Sequence, residues 1–260
     1  LRPYGDLDRY WTGYLELERE FSEFTNLVPL ISENSNVISP RLANIASLTG
    51  NWIETTFRRM AKSGWPFQQP ACNVPQEIED IDTFRNTFEV PYRLSKRAVF
   101  VKSYLTELHR RIFPFQSFGE GKNPEWFKDY SRLKHDRLEL QKSMTLRKVT
   151  DAMAGLFLLS VYPHEMREYL LEQRIIHSKG PDKSEVVKKI LVSHPSVLPD
   201  EIPLEAWVEG PIIAETQMFM FEFPRRIGPD NLETEREGYL DSRWEVWEAR
   251  RKSDTQSMFR

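Results

Sequence analysis

Cysteine is nearly absent from this 260-residue chain: Cys72 is the only one, so no intrachain disulfide and no multi-cysteine metal site can form. The scarcity leads us to expect an intracellular, cytoplasmic protein. Long apolar runs are missing too. The longest, from Ala152 to Tyr162, falls well short of the ~20 residues that cross a bilayer, and it is interrupted by Gly155 and Ser160. It reads as a core helix, and no membrane partner is expected. The chain opens at Leu1 without a basic-then-apolar leader, from which no export signal is expected. Charge of one sign is lacking as well, with 36 Lys plus Arg against 39 Asp plus Glu, so no global field commits the protein to nucleic acid. There is no Walker loop, dinucleotide fingerprint, nucleophile elbow or His-x-x-x-His spacing, and no internal repeat. No cofactor and no metal are expected.

What is abundant is core material: 40% of residues are hydrophobic and 12% aromatic, including seven Trp and sixteen Phe. Their spacing is mostly helical. Tyr10, Tyr14, Leu17, Phe21, Phe24 and Val28 mark one helix over residues 10–28. Ser39-Pro40 opens a second, Ser as cap and Pro at the first helical position where an N–H would be unpaired anyway. Its stripe is Leu42, Ile45, Leu48, Trp52, Ile53, Phe57 and Met60, and Gly64 and Pro66 end it. Asn123-Pro124 repeats the device for a helix reaching about Lys142, with Trp126, Phe127, Tyr130, Leu133 and Leu140. Another helix is expected from Leu146 to Tyr162, with Pro163 as its break.

Residues 92–111 are ambiguous, since Ala98 to Val101 is strand-like while Tyr104, Leu105 and Leu108 fit a helix. Beyond about Ser178, prolines punctuate short segments, and Gln217, Phe219, Phe221 and Phe223 alternate as in a strand. Residues 232–252 form a charged helical pattern with Leu240, Trp244 and Trp247 on one stripe. The expected architecture is mainly α, a helical bundle over 1–165 followed by a smaller α+β extension over 166–260.

The residues that could carry chemistry concentrate between Trp126 and Arg137. On a helix Arg132, His135 and Glu139 lie three or four apart, as do Arg132 and Asp136, so a cation, an imidazole and carboxylates share one face. A histidine beside a carboxylate can act as a general base and an arginine can hold a phosphate. The same residues equally fit a solvated ion pair and a surface imidazole. Glu54, four before Arg58, reads as an ordinary ion pair. The centre of the chain is basic: residues 128–148 carry seven basic residues against Asp129, Asp136 and Glu139, whereas residues 201–252 carry twelve acidic and seven basic.

The run Tyr130-Ser131-Arg132-Leu133-Lys134-His135-Asp136-Arg137, followed by Thr145-Leu146 and the 152–159 helix, resembles a group of bacterial proteins with a Tyr-Asn-x-x-Lys-His-Asp-Arg helix. Glu33 to Asn36, Ser39-Pro40 and Trp52-Ile53-Glu54 match the same group, and the resemblance spans about residues 15–162. That group is similar to the HEPN superfamily of helical bundles, many of them metal-independent ribonucleases of toxin, defence or RNA-processing systems. The resemblance implies a HEPN-like bundle, a homodimer or protein partner, and RNA or a nucleotide as ligand. In the family an Arg precedes the His by five to seven positions. Here Tyr130 stands where that Arg belongs and Ser131 where a polar Asn is common, and no other histidine has an Arg at that spacing.

The resemblance therefore implies His135, Arg132 and Arg137 as the catalytic candidates, with Tyr130, Ser131, Lys134 and Asp136 as binding candidates. Two functions follow from it: an interaction module without the full catalytic pair, or a dimeric metal-independent endoribonuclease with His135 as base. A purely structural subunit is the third reading of the same residues.

Overall fold

The computed structural model describes residues 5–62, 80–102, 111–135, 141–162, 164–178 and 212–223. The expected helix over 232–252, the proline-punctuated stretch 181–211, Cys72, Tyr104, Leu105, Leu108 and Leu140 lie outside them. The protein is mostly helical with a small antiparallel sheet component. The chain divides into two compact units, one of residues 1–175 with 215–221, the other of residues 176–214 with 222–260.

The first unit is organised around helices α1 (Gly5–Leu27) and α2 (Pro40–Lys62). The Ser39 hydroxyl accepts the Leu42 N–H at 3.1 Å, the capping role its position predicts. Leu42, Ile45, Ile53, Phe57 and Met60 are buried, but Leu48, expected on the same stripe, is 46% exposed. One turn on, Trp52 makes the contact with α1: its ring lies so close to Gly13 that a Cβ there would be 2.4 Å away. Tyr10 donates to the Trp52 carbonyl at 3.2 Å, and Arg41 pairs with Glu23 at 2.9 Å, tying the two helices at both ends.

Helix α3 (Ile81–Tyr92), capped by Asp80, buries Phe84 and Phe88. It was not expected from the sequence. Helix α4 (Glu125–His135) and helix α5 (Leu146–Val161) form where the two central helices are expected, but residues 141–143, expected to end the first of them, form a 3-10 turn, and residues 136–140 lie outside the described ones. Every residue from Ala152 to Val161 is buried, so α5 is the axis of the core, packed by α1, α2 and α4. Its first turn is satisfied from a distance: Leu146 and Arg147 donate their N–H groups to the carbonyls of Val37 and Ser35 in the α1–α2 linker. Pro163, where a break is expected, lies outside the described residues; helix α6 spans His164–Glu172. It closes on Arg174, at φ 58°, with Arg174 N–H bonded to Leu171 and Ile175 N–H to Leu170. This pair of bonds is a Schellman cap with arginine in the place glycine favours.

Strand β1 (Val99–Val101) lies between β2 (Arg111–Ile112) and β5 (Phe219–Glu222), antiparallel to both, in registers Val99 with Ile112 and Phe100 with Met220. The expected alternation holds in β5, where Phe219 and Phe221 are buried and Met220 is half-buried. In the second unit β3 (Ile176–Ser178) pairs antiparallel with the 212–214 part of β4 (Ile212–Glu215).

Candidate functional site on helix α4

Helix α4 is amphipathic in a definite sense: Trp126, Phe127, Tyr130 and Leu133 are buried, while Glu125, Lys128, Arg132 and Lys134 are exposed. Trp126 anchors the start by donating its indole N–H to the Pro114 carbonyl at 3.0 Å. Two polar seams then leave the helix in different directions.

The seam toward α2 contains two of the expected binding residues. Tyr130 is 1% exposed, its ring packed on Gly50 so closely that a Cβ on that glycine would lie 2.3 Å from the ring. Its hydroxyl donates to the Asn51 amide oxygen at 2.8 Å. Burial raises the phenol's pKa above the ordinary value, and Glu54 adds to the rise while Arg58 opposes it. The ring is therefore a core element here, with its hydroxyl committed to α2. Lys134 reaches both carboxylate oxygens of Glu54, at 2.5 and 2.6 Å, and its ammonium sits 4.7 Å from the Tyr130 ring centroid. Glu54 also pairs with Arg58 at 3.7 Å, as its spacing suggested, but Lys134 from eighty residues away is the closer partner.

The seam toward α5 is centred on Asp129, which is 6% exposed. Lys148 lies 2.6 Å from Asp129 and 3.1 Å from Glu125, bridging the two carboxylates. Burial works to lower the Lys148 pKa, but the bonds to Asp129 and Glu125 outweigh it and hold it above the usual lysine value. One turn on, burial pushes the Asp151 carboxyl up to about 7; Arg147 draws it down and Glu125 adds to the rise. Arg132 approaches Asp129 only to 3.8 Å, with a side chain 69% exposed.

Of the residues singled out from the sequence, Tyr130 and Lys134 come together on the α2 side and Arg132 stands apart on the α5 side. Ser131 is half-buried between them. His135 closes α4. Its side chain, and Asp136 and Arg137 altogether, lie outside the described residues. Asn51, Asp129, Lys148 and Asp151 were missed. The one local signal for them was the placement of Asp129 three residues before Arg132; the partners from α2 and α5 are brought in by packing alone. Among the described residues no group of three His, Cys, Asp or Glu is placed to hold a metal ion, and no helix is long and apolar enough to cross a membrane.

Comparison with protein-family models, with curated proteins and with solved structures finds no match to this chain.

Proposed function

We propose that this chain is a HEPN-like binding module of a bacterial RNA-related, defence or stress system, acting in the cytoplasm, whose α4 surface takes an anionic partner, RNA in the first instance. The observation that carries the reading is the division of charge around Asp129. Its carboxylate is committed to Lys148 at 2.6 Å, and Arg132 is left at 3.8 Å with most of its side chain in solvent. Among the described residues Arg132 keeps only the long approach to Asp129 and Lys128 has no ion-pair partner, so two cations, four apart on the exposed arc of α4, are left largely to solvent. An exposed guanidinium can clamp a phosphate bidentately, and its planar fork does so better than an ammonium. The helices at 5–27, 40–62, 125–135 and 146–161 are in keeping with the bundle that the sequence resemblance implies.

The same arrangement favours binding over catalysis. Tyr130 occupies the place of the family's arginine, and its hydroxyl is bonded to Asn51, not turned to a ligand. Fluorescence anisotropy with a mixed-sequence single-stranded RNA tests the reading. Arg132→Glu and Lys128→Glu each weaken binding by about tenfold, and Arg132→Ala flattens the salt dependence by ~0.7 in the log–log slope. Unchanged affinity and slope in all three variants would discard the reading. Incubation of the protein with RNA in EDTA, beside His135→Ala, covers the enzymatic alternative: cleavage lost in the variant transfers the assignment to a metal-independent endoribonuclease.

A further inference from the structure

Residues 215–221 are the one stretch of the later chain that belongs to the first unit, and residues 176–214 separate them from the rest of it. They are held less like a loop than like a bound peptide. Glu18, 2% exposed on α1, accepts hydrogen bonds from the Thr216 hydroxyl and from the Met218 N–H at 3.0 Å. Lys102, next to β1, pairs with Glu215 at 2.6 Å and donates to the Thr216 carbonyl at 2.7 Å. The Lys102 N–H donates to the Met218 carbonyl at 2.8 Å, and the Gln217 amide reaches the Ser22 hydroxyl at 3.0 Å. Phe219 then stacks on Phe157 and Phe221 meets Tyr162 edge-on, while the backbone joins β1 as an added strand.

We propose that residues 1–175 form a strand receptor, filled in cis by residues 215–221 and able to take the same strand from a second copy of the chain. Backbone pairing to a sheet edge supplies affinity, and alternate side chains entering pockets supply specificity, which is the pattern of strand addition. Each element of that pattern is present: an ion pair at the entry, two polar clamps that read the turn, and two aromatic seats spaced by two residues. An identical strand from a second copy meets every one of these contacts, so exchange costs no complementarity. Vacancy does cost: without β5 the β1 edge loses its partner, and the carboxylate of Glu18 loses two buried donors. The receptor is therefore expected to exchange strands and not to stand empty. This inference is independent of the nucleic-acid reading.

Cross-linking between full-length chains provides the test. In a Cys72→Ser background, one chain carries Lys102→Cys and a tag, and the other carries Glu215→Cys. The two are refolded together at high concentration and treated with a short bifunctional thiol reagent. A cross-linked heterodimer is expected, reduced at least tenfold when the Glu215→Cys chain also carries Met218→Pro, which deletes the N–H that Glu18 accepts. A chain carrying both cysteines that cross-links internally, while the mixture gives no product between chains, overturns the proposal. If the cysteine variants lose their helical circular dichroism, native mass spectrometry of co-refolded unlabelled and isotope-labelled wild-type chains decides: mixed dimers sustain it, and monomers alone overturn it.

Discussion

Removing the Glu18 carboxylate probes the polar heart of the first unit most directly. In Glu18→Ala the Met218 N–H is left buried without its acceptor, and the Tyr14 hydroxyl, 3.0 Å from Glu18, keeps only the Thr216 hydroxyl at 3.5 Å. Thr216 retains a 3.3 Å approach to the Phe219 carbonyl, so its hydroxyl is partly compensated. One buried orphan at about 1–3 kcal/mol plus a weakened second bond gives a destabilisation of about 3 kcal/mol. Urea denaturation followed by circular dichroism measures it; a loss below about 0.5 kcal/mol would show that water or neighbouring groups replace the carboxylate and would refute the accounting. Glu18→Gln separates charge from hydrogen bonding. Burial raises the Glu18 pKa in the folded protein, against the opposing bonds from Thr216, Met218 and Tyr14. A carboxyl whose pKa is raised by folding binds its proton more tightly in the native state, so its contribution is fullest below the unfolded value, ~4.3, and declines as pH rises through the folded one. The stability of wild type relative to Glu18→Gln should therefore fall as pH rises above that unfolded value. A rise there contradicts the assignment of burial as the dominant influence.

The Asp151 carboxyl, pushed by burial to about 7, should titrate near neutrality in a carbon-detected NMR experiment, and Asp151→Asn should gain on wild type in stability as pH rises from 6 to 8; a midpoint below 5 would contradict it. Lys148→Met leaves the buried Asp129 with only Arg132 at 3.8 Å, and a loss of about 3 kcal/mol is expected, largely recovered in the double variant with Asp129→Asn; additive effects in that cycle would refute the coupling. Arg174→Gly relieves the left-handed backbone at the α6 cap and should raise the melting temperature by ~2–4 °C, corresponding to ~1 kcal/mol; no rise would mean the arginine side chain compensates its own strain. Gly50→Ala forces a methyl against the Tyr130 ring and should destabilise by ~1–3 kcal/mol, measured by the same melt; a neutral result would show that α4 can shift away from α2.

The signals that act over one turn of chain were legible. Ser39-Pro40 opens α2 and the Phe219–Phe221 alternation marks a strand, because each depends on a hydrogen bond or a steric restriction between near neighbours. Helix α3 was hidden although Asp80 caps it and Phe84, Phe88 and Tyr92 recur at four-residue spacing, since Pro91 inside the last turn argues against a helix when read alone. Its left-handed exit at Arg93, φ 48°, is likewise a glycine position filled by another residue. The chemistry of the site was legible only as an inventory. Spacing put Arg132, Lys134 and Tyr130 on one helix, but whether each cation faces solvent or a carboxylate depends on which helix lies across from it. Lys134 is neutralised by Glu54 from α2, and Lys148 takes Asp129 away from Arg132; neither pairing has a sequence signature, because both follow from how α2 and α5 pack on α4. Two lysines thus consume the local carboxylates and release one arginine. That asymmetry, absent from any count of charges along the chain, is what leaves the Arg132 side chain in solvent beside a buried carboxylate.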